Sequence, residues 1–386
     1  MAPARGVGGA AARAALPPRA HRRRLDPHPR RGAGVNLHVV VAGWLLGPHS
    51  GANRRLLALL SELGDLLADD ERVTVLHRPS FAPPPLPHIA WRAVDIPPGP
   101  TLRRARAERR RLPVLLRQLA ADVYDHGFLP APAVDVPTCL LVHDVRAADT
   151  RSRWPRVFAR HVLRRSCRRA AAVVTPSAFT AARIAAHCPG AHATVVPNAV
   201  ATPATSGARL PRPAPANGYL LHVGHVEPRK NLGVVATAVA RLPARERPEL
   251  WLAGRDAGAL RHLRKHTFVR ALGVVDDDTL DTLYRRARAV VLPSSYEGFG
   301  LPVLEALARG RPVYAADTSA LPEVLGDAGV LLPPHDPRAW AAALRRGQPD
   351  DEPDRRDRRA FAAARTWRDG AADLLALWRR LATASQ

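Results

Sequence analysis

Lysine is nearly missing from this chain: only Lys230 and Lys265 stand among its 58 lysines and arginines, so almost every cation is a guanidinium. Cysteine is scarce too. Cys139, Cys167 and Cys188 are odd in number and widely spaced, which excludes a disulfide framework and a cysteine metal site and fits a reducing compartment. No apolar run approaches the roughly 18 residues of a membrane-spanning helix. Aromatics make up 5%, with no zinc-finger spacing and no aromatic-basic RNA-binding motif, so a nucleic-acid binder is only a minor alternative. Residues 1–34 hold almost no acid and lack the continuous apolar core of a secretory signal. They read as a disordered or spurious leader, with a transit peptide as the alternative.

What is abundant is positive charge, +24 formally, in a chain rich in alanine, proline and arginine together. GC-rich coding explains that composition without any ligand. The arginines nevertheless cluster, in RRARAERRR at Arg103 to Arg111 and along a helical stretch at 151–169 that also carries Val157, Phe158, Val162 and Leu163. Such a helix suits peripheral contact with an anionic membrane and equally well a solvated arginine face.

At 386 residues the chain exceeds what one core usually supports, so two domains are expected. A strand from Asn36 to Gly43, a helix from Ala52 to Leu67 and further alternating apolar and helical stretches predict an α/β class with doubly wound parallel sheets. The Pro- and Ala-rich run Ala201 to Asn217 reads as a linker between an N-terminal domain at 35–200 and a C-terminal one at 218–365.

Chemistry concentrates in Ser294-Ser295-Tyr296-Glu297-Gly298-Phe299-Gly300-Leu301-Pro302-Val303-Leu304-Glu305-Ala306. The apolar strand Ala289–Leu292 precedes it. Gly298 and Gly300 permit a tight turn, and Pro302 suits a helix start near Leu301. The free N–H groups of that start would attract a diphosphate. Glu305 falls within the first helical turn and Glu297 on the loop; near a diphosphate, both suit sugar hydroxyls better than phosphate. Taken singly, a first-turn glutamate serves equally well as a dipole or capping partner, and a Gly-x-Gly loop is as often structural. A second string, Tyr219 to Leu232, runs strand, Gly224 turn, then Glu227-Pro228-Arg229-Lys230-Asn231 ahead of a helix over Leu232 to Leu242. Arg229 and Lys230 there supply charge where a nucleoside diphosphate would leave. Asp276-Asp277-Asp278 reads as a helix cap rather than a metal motif.

Together YEGFGLPVLEALARGRPV and HVGHVEPRKNL resemble the retaining glycosyltransferases of family four, which have the two-domain GT-B fold. The resemblance implies a cleft between two Rossmann-like domains and transfer of a hexose, mannose-like favoured, from a nucleotide-diphosphate sugar to a cell-envelope polysaccharide or glycolipid. It implies Arg229, Lys230, Glu297 and His143 as catalytic. Gly51, Gly224, Gly298, Phe299, Gly300, Leu301 and Glu305 would hold the donor. No metal and no further cofactor is required. His143 ends the strand Thr138 to Val142 in a His-Asp pair, and Gly51 sits where the family often carries two glycines. His225 stands where a small hydroxyl residue is usual. Thr175 to Thr180 and Val196 to Val200 match family signposts that read as scaffold. The stretch 366–386 resembles the closing helix that crosses back to the first domain. The implied location is the cytoplasm, at the inner face of the membrane. A GT-B nucleotide-sugar epimerase or a non-catalytic sugar-nucleotide binder is the alternative.

Overall fold

Two all-parallel sheets organise the chain, each with its strands in the order a doubly wound fold requires. The computed structural model describes residues 37–46, 51–99, 101–150, 152–201 and 207–384; the proposed leader and part of the linker lie outside them. In the first lobe, β1 (Leu37–Ala42), β2 (Glu71–His77), β3 (Ile89–Ala93), β4 (Val123–His126), β5 (Thr138–Leu141), β6 (Ala172–Thr175) and β7 (Ala193–Val195) run in the order β3-β2-β1-β4-β5-β6-β7. In the second, β8 (Tyr219–Val223), β9 (Glu249–Ala253), β10 (Val269–Gly273), β11 (Ala289–Leu292), β12 (Val313–Ala316) and β13 (Val330–Leu332) run β10-β9-β8-β11-β12-β13. Strand order therefore reverses between β1 and β4 and again between β8 and β11. Loops leaving the carboxyl ends of strands at such switch points are where open α/β sheets bind ligands.

The central strands are apolar without alternation, as expected where helices cover both faces of a parallel sheet, whereas the edge strand β3 is largely exposed. β1 (LHVVVA) and β11 (AVVL) are buried throughout. One core of the first lobe joins Leu37, Val39 and Val41 to Leu59, Leu60 and Leu63, and is completed by Leu374, Leu375 and Trp378 of the helix Trp367–Thr383. The last helix of the described chain thus packs on its first strand. Thr366 caps that helix, accepting from the Asp369 N–H at 3.1 Å.

The helix expected to reach Leu67 spans Gly51–Glu62 instead. Gly64 lies just past its end, where a Cβ would come within 2.8 Å of the His88 ring, and Leu63 to Leu67 turn tightly rather than continue. The helix expected to reach Leu242 closes at Ala240. No helix among the described residues is long and apolar enough to cross a membrane.

Candidate functional site

β8 and β11 flank the second switch point, and the two strings singled out in the sequence are the loops that follow them. After β8 the chain passes Gly224 and makes a short 3-10 turn, Pro228–Lys230, that ends with Asn231 in a left-handed conformation. After β11 it passes Ser294 to Gly300 before the helix Leu301–Leu307. The loops are stitched together: the Ser295 N–H donates to the Arg229 carbonyl at 3.0 Å, and Arg229 donates to the Tyr296 carbonyl.

This brings Glu297 between two cations. Lys230 Nζ donates to its Oε1 at 2.6 Å, and Arg229 pairs with its Oε2 at 3.1 Å. Burial alone would push the Glu297 carboxyl up. Lys230 first and Arg229 second outweigh it and hold the group below the usual carboxylate range. Arg229 also pairs with Glu227 at 2.5 Å, so the two cations and two carboxylates balance.

Glu305 is the fifth residue of its helix, beyond the first turn where the sequence reading placed it, and the helix has only seven residues. Its Oε2 accepts from the buried Tyr284 hydroxyl at 2.6 Å, and its Oε1 from Arg54 of the first lobe at 3.0 Å. An open cleft of about 390 Å³ runs here, lined by Arg54, Gly224, Lys230, Arg255, Leu301 and Glu305 among others. The side chain of Phe299, a residue expected at the donor, is buried in the second lobe's core, which leaves its backbone to face the loop.

The lobes meet at the Glu297 loop. Ser177 Oγ donates to the Gly298 carbonyl at 2.7 Å and Thr180 Oγ1 to the same oxygen at 3.3 Å. Glu323 of the second lobe accepts from the Ala178 and Phe179 N–H groups at 2.8 and 3.1 Å. The Tyr296 hydroxyl reaches Asp149 at 3.1 Å. A Cβ on Gly298 would run into the His143 carbonyl oxygen and come within 2.8 Å of Asp144 Cβ, so only glycine allows this approach. Thr175 to Thr180 does cap a helix, Ser177 accepting from the Thr180 N–H. It is also half of the seam, which a scaffold reading overlooked.

His143 lies beside that contact, partly exposed; burial and then the Arg55 guanidinium push its imidazole down to about 4, so it is neutral at pH 7. Gly51 opens the helix Gly51–Glu62, but the loop ahead of it, 47–50, lies outside the described residues. His222 went unnoticed in the sequence. Its Nδ1 faces the Val291 carbonyl at 3.2 Å, its Nε2 is buried without a hydrogen-bond partner, and burial pushes it down to about 3. It lies beside Gly224 and Lys230. The signal available was a polar residue in an otherwise apolar strand, YLLHV.

Comparison with known proteins matches both lobes. Residues 217–347 fit the family described as "Glycosyl transferases group 1" and residues 49–203 the one described as "Glycosyltransferase Family 4". The chain is 41% identical over 143 residues to the O-antigen chain mannosyltransferase B of Escherichia coli, covering 35% of this chain and 38% of that protein. It is 34% identical over 191 residues to the D-inositol 3-phosphate glycosyltransferase of Jonesia denitrificans, covering 45% of each. The chain thus spans less than half the length of these curated relatives. Among solved structures, sucrose-phosphate synthase from Thermosynechococcus elongatus superposes with a TM-score of 0.74 at 19% identity, over 90% of this chain and 100% of that one. HepE of Anabaena in complex with UDP-glucose superposes with a TM-score of 0.62 at 17% identity, over 88% and 98%. At these identities the likeness establishes the fold, which is GT-B.

Proposed function

Because the chain belongs to the group 1, family four glycosyltransferases and has the GT-B architecture, we propose that it transfers a hexose from a nucleotide-diphosphate sugar with retention of anomeric configuration. The observation that carries this reading is the Glu297 carboxylate held between Arg229 and the cleft-lining Lys230, with the adjoining Gly298 packed on the His143 backbone of the opposite lobe. In this reading Glu305 accepts from the ribose. The diphosphate lies against Lys230 and Arg229, which meet the charge that develops on the leaving group. The start of so short a helix at Leu301 adds little. Sugar hydroxyls enter between Glu297 and its cations, and a leaving phosphate oxygen takes the acceptor's proton. Closure of the lobes around the donor excludes water, whose attack is the competing reaction.

The donor is mannose-like in this proposal, by similarity to the mannosyltransferase, and the acceptor a polysaccharide or glycolipid of the cell envelope. On the helix Arg153–Arg169, Trp154, Val157 and Phe158 are exposed at 77%, 52% and 65%. Leu163 of the same helix is buried. With Arg153, Arg156 and Arg165 alongside, that face suits peripheral binding to anionic lipid at the cytoplasmic side. Arg160 and Arg164 instead bond the carbonyls of Ala148 and His187, at 3.0 and 2.6 Å.

The test is a hydrolysis and binding screen against GDP-, UDP-, ADP- and dTDP-sugars, with Glu297→Ala and Lys230→Ala alongside. Slow release of one nucleoside diphosphate, lost in both variants, supports the transferase. Binding without turnover on any acceptor moves the reading to a non-catalytic binder or an epimerase, and no binding by folded protein refutes the site.

A further inference from the structure

The carboxylate assigned to the ribose has a protein partner from across the cleft. Tyr284, wholly buried and held neutral, donates to Glu305 Oε2 at 2.6 Å and so fixes the carboxylate with Oε1 toward the cleft. That oxygen is taken by Arg54 Nη1 at 3.0 Å, while Arg54 Nη2 holds Asp277 at 2.8 Å. Arg54 comes from the helix Gly51–Glu62 of the other lobe, and both contacts cross the cleft.

A ribose diol that is to bond Glu305 must therefore displace a guanidinium. The displacement costs little on the guanidinium's side, because Arg54 is 43% exposed, although Glu305 is only 14% exposed. What the freed guanidinium does next decides the ligand. Among the described residues lining the cleft, Glu305 is the only carboxylate, against Arg54, Lys230 and Arg255. Once Glu305 is given up, Asp277 alone still holds Arg54. A ligand that brings its own anion close to the ribose offers a stronger, bidentate partner.

We propose that Arg54 exchanges partners on ligand binding: it gives up Glu305, which it pairs with at 3.0 Å, and moves onto the diphosphate when a nucleoside diphosphate enters. This rests on the donor reading above and adds a selectivity to it. A nucleoside pays the displacement without recompense, whereas a nucleoside diphosphate recovers it. The site therefore discriminates against unphosphorylated nucleosides through a residue of the opposite lobe.

The experiment is calorimetric titration of the whole chain and of Arg54→Ala, Arg54→Lys and Asp277→Asn with UDP, GDP and ADP and with uridine, guanosine and adenosine. Melting temperatures verify folding. Arg54→Ala should bind the preferred nucleoside about two- to fivefold more tightly, since an exposed competitor is gone. The same variant should bind the corresponding diphosphate roughly tenfold or more weakly, since charge-assisted hydrogen bonds are lost. Arg54→Lys should fall between, and Asp277→Asn, which loosens the hold without removing the guanidinium, should tighten the diphosphate and leave the nucleoside about unchanged. If Arg54→Ala moves nucleoside and diphosphate in the same direction, or leaves their ratio unchanged, the exchange is refuted while the donor site stands. If wild type binds none of the six, the donor reading falls and the exchange with it.

Discussion

Gly298→Ala tests the seam between the lobes with a single methyl group. That methyl would stand 2.8 Å from Asp144 Cβ, with the His143 carbonyl oxygen closer still. Carbon atoms settle about 3.5–4.0 Å apart, so relief requires the seam to open by about 1 Å. Ser177 Oγ, now 2.7 Å from the Gly298 carbonyl, and Thr180 Oγ1, at 3.3 Å, would then both pass out of hydrogen-bond range. Two such bonds are worth about 2 kcal/mol together, so the variant should melt measurably lower. The larger effect falls on turnover. Glu297 is the adjoining residue, and a shift of about 1 Å at a reacting group costs on the order of 10²-fold. The assay is kcat/KM for transfer or for slow donor hydrolysis, with nucleoside diphosphate affinity measured beside it. Affinity should fall less than turnover, because Lys230, Arg229 and Glu297 are bonded to one another within one lobe and, among the described residues, only Arg54 reaches the cleft from the other. Gly233→Ala is the control: nothing stands within 4 Å of its Cβ position in the helix Leu232–Ala240, and it should gain about 0.5–1 kcal/mol. Turnover within about threefold of wild type in Gly298→Ala, with unchanged melting, would refute the reasoning.

Three further outcomes are expected. Lys230→Ala should lower turnover by roughly 10²–10³-fold, and it removes the larger of the two cations that hold the Glu297 carboxyl down. The acid limb of the variant's pH–rate profile should therefore move upward; an unmoved limb sinks the pairing. Asp125 is buried under the Trp378 indole, which donates to it at 2.9 Å, and burial pushes its carboxyl up to about 6. The folded state then holds a proton that the unfolded state has released between about pH 4 and 6, so this group's contribution to stability is lost as pH rises through that window, on the order of 3 kcal/mol in all. Urea midpoints of wild type and Asp125→Asn should diverge between pH 4.5 and 7 in the variant's favour at the higher pH, and a constant difference would contradict this. Trp378→Ala empties a fully buried site of the first core and should cost about 3–5 kcal/mol by chemical denaturation; a cost under about 1 kcal/mol would show that the last helix is dispensable there.

The sequence made the second lobe's site legible because its ligating groups sit on two short loops, each announced by an apolar strand and a glycine. Glu297, Arg229 and Lys230 come together through backbone stitching within those loops. What could not be read was whatever depends on one lobe facing the other. Ser177 and Thr180 bear every mark of a helix cap, and the cap is real. Their second task, on the Gly298 carbonyl, arises only when the lobes meet. Arg54 was one arginine among many, and its pairing with Glu305 spans 251 positions. That the Phe299 side chain belongs to the core was not legible either, since a motif states which residues occur together and not which way each one turns. Helix ends were missed where a neighbour from elsewhere, His88 beside Gly64, limited the space.

The helix Trp367–Thr383 has a consequence for how the molecule comes into being. A ribosome delivers β1 more than three hundred residues before it delivers Leu374, Leu375 and Trp378, which close the same core. By about residue 365 the second lobe has everything it needs to fold, while the first still waits with an apolar face and the Asp125 carboxyl uncovered. Order of synthesis and order of completion are therefore opposed. A nascent chain stalled anywhere before position 367 would present that open face to chaperones and proteases, so the helix Trp367–Thr383 acts as a check that synthesis has passed through both lobes.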